Sequence, residues 1–186
     1  NKLTGPITLT TLINFYYLMS NLKKILIDKK NCKSIWFMRQ AGRYLPEFRK
    51  IRANNQNFIE LCLNSQLSSE ITLQPIERFN IDSAIIFSDI LMVPFALGQK
   101  VEFEKNKGPI LSNFNLNLFL DNDKISFSQK LHPVYKAIEI TRKKLDKKKS
   151  LISFVGAPWT LLIYMLGAKI NKSGIDYDKI KSNEFE

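Results

Sequence analysis

Short apolar runs alternate with longer helical stretches along most of this chain. The runs are SIWFM (34–38), DSAIIFS (82–88) and SLISFVG (150–156). Their largely continuous hydrophobicity is typical of strands that are buried on both faces of a sheet. Residues 101–111 instead alternate between apolar and polar and turn at Lys107-Gly108, which predicts a β-hairpin.

Helical spacing of apolar residues follows each of the predicted strands. In the first helical stretch, Pro46 and Glu47 suit the first turn of a helix. In the second, Ser68 or Ser69 suits a helix cap. The predicted helices cover residues 44–52, 57–80 and 132–149, followed by an apolar helix that runs through residue 164.

Strands that alternate with helices predict βαβ units and a parallel sheet. Two architectures of this α/β class are open, the doubly wound sheet and the (β/α)8 TIM barrel. Arg39 and Asp89 follow the first two strands directly, and Tyr164 lies beyond the third. Polar groups after the strands favour the barrel, in which these loops carry the chemistry. A barrel needs roughly 250 residues, so we predict that the chain covers only about the first three βα units and leaves sheet edges exposed.

The beginning of the chain has its own pattern. It opens with Asn1, and Met19 is the first plausible start, so we interpret residues 1–18 as a non-native or disordered leader. Residues 19–186 are then the N-terminal part of one barrel domain. No stretch reaches the roughly 20 apolar residues that a transmembrane helix needs, which predicts a cytoplasmic protein.

Charge and motif content narrow the classes of function. Lys and Arg number 28 against 17 Asp and Glu, a formal net charge of +11, which favours anionic partners. The single histidine, His132, excludes an HExxH site, and the scattered glycines form neither GxGxxG nor a P-loop. Cys32 and Cys62 form no CxxC pair, so neither a disulfide scaffold nor a thiolate zinc site is predicted.

Three collinear blocks resemble the N-terminal half of the uroporphyrinogen decarboxylase family. They are IWFMRQAGRYLPEFRKIR (35–52), AIIFSDILMVPFALGQKVEFEKNKGP (84–109) and FVGAPWTLLIYMLG (154–167), with weaker agreement through TLQPIERF (72–79). The resemblance implies a (β/α)8 barrel that needs no cofactor and forms a homodimer when full length. It also implies a carboxy-lyase that converts the four acetate side chains of uroporphyrinogen III to methyl groups. The product, coproporphyrinogen III, serves haem or related porphyrin biosynthesis.

The same resemblance implies roles for particular residues. Arg39 and Arg43 would bind substrate carboxylates, which suits the planar guanidinium fork, and Arg39 is also a candidate for assisting proton transfer. Asp89 would accept hydrogen bonds from pyrrole N–H groups and stabilise the cation that forms when a pyrrole carbon is protonated. Asp89 and Arg39 are therefore the predicted catalytic residues. The predicted substrate-binding residues are Arg39, Gln40, Ala41, Gly42, Arg43, Arg52, Asp89, Ile90 and Tyr164, and no metal ligand is predicted.

Structural interpretations of several residues compete with these roles. Arg52 alone could equally be a solvated residue, and Asp89 without its neighbours would fit a helix cap. Gln40 suits a residue that orients ligand-binding neighbours. We interpret Trp159 as core and His132 as a surface residue.

Two other functions stay open at this point. Corrinoid or cobalamin-independent methyltransferases resemble the same superfamily but carry zinc through His and Cys ligands, whereas RQAGR and FSDIL suit a polycarboxylate. A non-catalytic protein that binds anions or nucleic acid would suit the net charge. However, no stripe of interleaved Lys and aromatic residues supports it. We therefore predict uroporphyrinogen and coproporphyrinogen as partners, and neither nucleic acid nor membrane.

Overall fold

Helices and short strands alternate along the chain in the computed structural model, which describes residues 20–28, 31–104, 108–120, 123–167, 170–171 and 174–175. This alternation confirms the predicted α/β class. The predicted leader, residues 1–18, lies outside the described residues. The elements are α1 (Asn21–Asp28), α2 (Pro46–Asn54), α3 (Phe58–Leu63), α4 (Ser65–Arg78), β1 (Ser83–Ile85), α5 (Met92–Ala96), β2 (Val101–Glu104), β3 (Gly108–Leu111), α6 (Leu116–Leu120), α7 (Lys124–Lys144), β4 (Ser150–Ile152), α8 (Pro158–Met165), β5 (Ile170–Asn171) and β6 (Gly174–Ile175).

Strands β1 and β4 form a parallel pair. The Ser150 amide donates to the Asp82 carbonyl (2.9 Å) at one end, and the Ile86 amide donates to the Ile152 carbonyl (3.0 Å) at the other. Both strands are shorter than the apolar runs that predict them. The connection between them contains helices, which is the βαβ arrangement that the sequence predicts. Strands β2 and β3 form the predicted antiparallel hairpin, whose turn at 105–107 lies outside the described residues.

The prediction of a strand at residues 34–38 is wrong. This segment is irregular, and its apolar side chains are exposed, Met38 by 80%. It still reaches the start of β1, because the Ile35 amide donates to the Asp82 carboxylate (2.7 Å) and the Ile35 carbonyl accepts from the Asp82 amide (2.8 Å). Hydrophobicity predicts burial, but a strand also needs backbone partners. The backbone groups on this edge of β1, those of Ser83 and Ile85, are bound by the Gln40 side chain instead.

The long helix predicted over 57–80 is in fact two helices. Asn64 separates them in an extended conformation, and its side-chain oxygen accepts from the Leu67 amide (3.0 Å), which caps α4. Asn57 caps α3 in the same way. Ser68 and Ser69 are therefore not caps, because both lie buried inside α4.

Helix α7 is displaced toward the N-terminus from the predicted 132–149. Asp123 starts the helix, because its Oδ1 accepts from the amides of Ile125 (2.7 Å) and Ser126 (2.8 Å). The Arg142 guanidinium ends it by donating to three carbonyls within residues 145–149. His132 is exposed, which confirms its interpretation as a surface residue.

Phe87, just beyond β1, lies where two apolar clusters meet. Its ring packs edge-on against Phe48 and Phe58, each at 5.8 Å between centroids. One cluster joins α2, α3 and α4, and the other joins α3, α5, β2 and α7. Their buried members are Leu45, Phe48, Leu61 and Ile71 in the first and Ile59, Cys62, Leu91, Met92, Ala96, Val101 and Leu131 in the second.

Some apolar side chains after β4 remain exposed. Trp159, at the start of α8, is 52% exposed, so its interpretation as a core residue is wrong. Phe154 and Val155 are exposed as well. The reason is that no described element covers this side of α8. None of the described helices is both long and apolar enough to cross a bilayer.

Candidate functional site

Asp89 lies half-buried in the loop that leaves the C-terminal end of β1. Its Oδ1 accepts from the Leu91 amide (2.8 Å), and its carbonyl accepts from the Met92 amide (3.2 Å). The N-cap position of α5 is Leu91, so Asp89 does not cap that helix. Burial raises the pKa of the Asp89 carboxyl, and the Leu91 hydrogen bond opposes this only in part. Among the described residues no cation pairs with it, which leaves the carboxylate available to a positively charged or N–H-rich ligand.

The Cys62 thiol is an electrostatic neighbour of both Asp89 and Arg52. Burial raises the pKa of the Cys62 thiol to about 12, the negative charge of Asp89 adds to the rise, and Arg52 opposes it. The Arg52 guanidinium carbon lies 5.7 Å from the centroid of the Phe58 ring, and Nη1 of the same group donates to the Asn55 carbonyl. Arg52 and Asp89 thus share Cys62 as a neighbour, whose thiol is neutral at neutral pH, and no hydrogen bond joins Arg52 to Asp89 among the described residues.

We expect the Cys62 thiol to resist alkylation in the folded protein. Its side chain is fully buried, and a pKa of about 12 leaves almost no thiolate at neutral pH. Cys32, which is partly exposed, is the matched control and should react first. Iodoacetamide labelling followed by peptide mass spectrometry measures both sites. Cys62 labelled as quickly as Cys32 before denaturation would contradict the burial described here.

Gln40 binds the edge of β1 with both ends of its side-chain amide. Its Nε2 donates to the Ser83 carbonyl (2.8 Å), its Oε1 accepts from the Ile85 amide (3.0 Å), and the residue is only 5% exposed. The Asp82 carbonyl and the Ile86 amide bind β4, so the groups of Ser83 and Ile85 between them face the opposite edge, because backbone groups alternate along a strand. The Gln40 amide thus takes the place that a neighbouring strand would occupy, which fixes the loop that follows it against β1.

The RQAGR loop places Arg39 and Arg43 at the surface. Arg39 and Gln40 line a surface cavity of about 370 Å³. The loop is held from within, because the Tyr44 hydroxyl donates to the Gln40 carbonyl and the Arg49 guanidinium donates to the Arg43 carbonyl (2.8 Å). In the described part of the chain neither Arg39 nor Arg43 pairs with a carboxylate, and no hydrogen bond joins either of them to Asp89.

The loop after β4 touches the loop after β1 at Gly156. A Cβ built on Gly156 would lie 2.5 Å from Leu161 Cδ2 and 3.3 Å from Ile90 Cβ. Ile90, next to Asp89, is therefore in the immediate surroundings of the turn that leads into α8. Tyr164 lies on that helix with its side chain partly exposed. The loops that leave the carboxyl ends of β1 and β4 therefore lie next to each other, as in any parallel pair.

We expect Gly156→Ala to lower the stability of the protein by about 1–3 kcal/mol, the usual cost of forcing extra atoms into a packed site. The physical reason is the contact of the new Cβ with Leu161 at 2.5 Å, a side chain that is itself buried. Gly42→Ala is the matched control for stability, because its nearest neighbour would be the Tyr44 ring at an ordinary 3.6 Å. Thermal unfolding of both variants tests this, and equal melting temperatures would contradict the predicted clash.

Two features near Asp89 were missed by sequence reasoning. Gly156 was assigned only as the end of a strand, although a glycine directly after a strand is a signal of close backbone approach. Ser68 and Thr72 were also missed as a pair. Their signal was a hydroxyl residue at positions i and i+4 of a stripe that is otherwise apolar.

Residues 28–178 match the sequence profile of one family, described as uroporphyrinogen decarboxylase (URO-D). This range holds the RQAGR loop, β1 with Asp89, and β4 with α8. The chain belongs to the uroporphyrinogen decarboxylase family. The fold of this family is a TIM barrel, and the parallel β1–β4 pair with its helices is consistent with part of such a barrel.

Curated uroporphyrinogen decarboxylases of several bacteria are similar to the chain. The protein of Orientia tsutsugamushi (strain Ikeda) is 49% identical over 156 residues, which are 84% of this chain and 45% of the relative. That of Neorickettsia sennetsu is 45% identical over 160 residues, 86% of this chain and 46% of the relative. That of Rickettsia africae is 46% identical over 151 residues, 81% of this chain and 44% of the relative. The matched region therefore spans less than half the length of these relatives.

Proposed function

We propose that the full-length protein containing this chain is a carboxy-lyase that decarboxylates the four acetate side chains of uroporphyrinogen III to give coproporphyrinogen III. The reaction belongs to porphyrin and haem biosynthesis. The observation that carries the proposal is a half-buried carboxylate, Asp89, at the carboxyl end of β1 in a chain of this family. This chain would contribute about the first three βα units of a (β/α)8 barrel.

Asp89 suits the difficult step of this chemistry. Protonation of the pyrrole carbon that bears the acetate gives a cation, and the C–C bond to the carboxylate then breaks. Its electron pair neutralises that cation as carbon dioxide leaves, and a second proton on the exocyclic carbon completes the methyl group while the first is lost from the ring. A fixed carboxylate beside the pyrrole N–H groups stabilises the cationic intermediate. Burial raises the pKa of Asp89 because it disfavours the charged carboxylate. A ligand that brings N–H donors and positive charge would stabilise that charged form.

The arginines suit the periphery of the same substrate. Uroporphyrinogen carries eight carboxylates, and a guanidinium binds a carboxylate through two parallel hydrogen bonds. Arg39 and Arg43 are exposed on a loop that internal hydrogen bonds hold in place. Arg39 is also positioned by its neighbour Gln40, which is bound to β1. The proposed substrate-binding residues are Arg39, Gln40, Ala41, Gly42, Arg43, Arg52, Asp89, Ile90 and Tyr164, with Gln40 acting by orienting the loop.

The remaining features of the proposal follow from the family. The full-length protein would be a cytoplasmic homodimer that uses neither a metal nor an organic cofactor. Its partners would be uroporphyrinogen and coproporphyrinogen, not nucleic acid. Size-exclusion chromatography with light scattering and a metal assay of the purified protein check these points.

A direct assay tests the proposed function. Purified full-length protein is mixed with uroporphyrinogen III under a reducing, oxygen-free atmosphere, and the products are oxidised and separated by chromatography. We expect porphyrins with seven, six and five carboxylates, followed by coproporphyrin, together with release of carbon dioxide. Product formation no faster than in the protein-free mixture would overturn the proposal.

A further inference from the structure

Two hydroxyl side chains of α4 hold the backbone that leads to Asp89. Ser68 and Thr72 lie one helical turn apart and are fully buried. The Phe87 amide donates to Thr72 Oγ1 (2.8 Å), and the Phe87 carbonyl accepts from Ser68 Oγ (2.6 Å). Thr72 Oγ1 in turn donates to the Ser68 carbonyl (2.7 Å). Both backbone groups of Phe87 are therefore bound by side chains of α4.

These hydrogen bonds lie just beyond the C-terminal end of β1. The last β1–β4 hydrogen bond runs from the Ile86 amide to the Ile152 carbonyl (3.0 Å), so Phe87 is the first residue beyond it. Asp89 follows two positions later, and its own carboxylate is turned onto the Leu91 amide. The loop that carries Asp89 therefore begins at the Phe87 peptide, which α4 holds through two hydrogen bonds.

Serine at position 68 and threonine at position 72 suit the task of binding the Phe87 peptide. Ser and Thr favour a helix less than Ala or Leu does, and a buried hydroxyl requires a hydrogen-bond partner. Ile71 and Pro75, also buried on α4, have no such requirement. Ser69 and Gln74 are buried there as well, but their side chains bind no partner among the described residues, so the hydroxyls of Ser68 and Thr72 are the ones that bind the Phe87 peptide. Valine in place of Thr72 would fill the same space. It would remove the acceptor of the partly buried Phe87 amide.

We propose that Thr72 and Ser68 are positioning residues for the Asp89 carboxylate, which they hold in place through the Phe87 peptide. The inference rests on the function proposed above for Asp89. A carboxylate that stabilises a developing cation must stand in place before the reaction. A misplacement of about 1 Å can cost on the order of 100-fold in rate.

Matched variants of the full-length protein test this proposal. Thr72→Val keeps the shape and removes the hydroxyl, and we expect kcat to fall about 10-fold or more while KM changes little. Thr72→Ser keeps the hydroxyl and should retain kcat within about 2-fold. Ser68→Ala should act in the same direction as Thr72→Val. Thr141→Val is the control, because Thr141 is equally buried but donates only to Ala137 of its own helix (2.7 Å).

Two comparisons decide the outcome. The proposal is overturned if Thr72→Val keeps the kcat of the parent protein. It is also overturned if Thr141→Val loses as much kcat as Thr72→Val when both variants lose the same amount of melting temperature. Amide hydrogen exchange gives a readout that does not depend on turnover: residues 87–91 should exchange about 10-fold faster in Thr72→Val and not in Thr72→Ser. If the parent protein fails to decarboxylate uroporphyrinogen, the proposed function is overturned. In that case, unchanged exchange at 87–91 would separately overturn the positioning by Thr72.

Discussion

Asp89→Asn is expected to lower kcat of the full-length protein by on the order of 10²–10³, the usual loss when one preorganised electrostatic group is removed from a reaction centre. Asparagine keeps the shape of the side chain and can still accept from the Leu91 amide, but it carries no charge to stabilise the cationic intermediate. Turnover of uroporphyrinogen III measures the loss. Asp146→Asn is the matched control, because Asp146 is exposed and, within the described parts of the chain, its side chain accepts only from the nearby Lys148 amide (2.8 Å).

The same substitution should not weaken the fold. Because burial raises the pKa of Asp89, the charged carboxylate is less favourable in the folded protein than in the unfolded chain. This cost is present above the raised pKa and disappears as the pH falls below the ordinary aspartate pKa of about 3.9. Asp89→Asn should therefore match or exceed the parent in melting temperature at pH 7, with the difference shrinking in acid. A variant with normal kcat would contradict the role of Asp89, and a markedly lower melting temperature at pH 7 would contradict its buried, unfavourable charge.

Arg39→Ala is expected to lower kcat/KM about 10- to 100-fold, since a hydrogen bond to a charged group contributes about 1.5–3 kcal/mol. The loss should appear in both KM and kcat if Arg39 binds a carboxylate and also assists proton transfer. Arg39→Lys separates geometry from charge, because lysine keeps the positive charge and lacks the planar fork. It should recover only part of the activity.

Lys50→Ala is the control for the general attraction of an anion to a basic protein. Lys50 is an exposed cation on α2, outside the RQAGR loop, so its removal lowers the net charge by the same unit. We expect a small increase in KM at low salt that vanishes at about 0.15 M ionic strength, where charges beyond about 8 Å are screened. Equal effects of Arg39→Ala and Lys50→Ala would mean that Arg39 contributes only its charge.

Sequence patterns predicted several parts of this fold that depend on local chemistry. Pro46 and Glu47 lie in the first turn of α2, and β2 and β3 form the hairpin, as predicted. The caps at Asn57, Asn64 and Asp123 are equally local but were missed, because the predicted helices had other boundaries. The strand at 34–38 failed because a strand depends on partners that are distant in sequence, and hydrophobicity alone does not supply them. Trp159 failed for a related reason, since an apolar residue is buried only where another element covers it.

The candidate site could also be predicted only in part. Asp89 and the RQAGR loop were recognisable from their motifs, and the strand that carries Asp89 was found from its apolar run. What the motifs could not convey was how these residues are held. Thr72 lies on another element and Gly156 on another loop, and their contacts with the Asp89 loop exist only in the folded chain.

Gln40 also has a consequence for the chain during its synthesis on the ribosome. A strand with unpaired edge groups is a template on which a neighbouring nascent chain can pair, and exposed apolar segments such as 35–38 increase that hazard. The Gln40 amide binds the Ser83 and Ile85 groups of β1 from within the same chain. At roughly 5–20 residues per second, these partners are made within seconds of each other. Once β4 is made and pairs with β1, a single glutamine thus covers the remaining aggregation-prone edge of that strand.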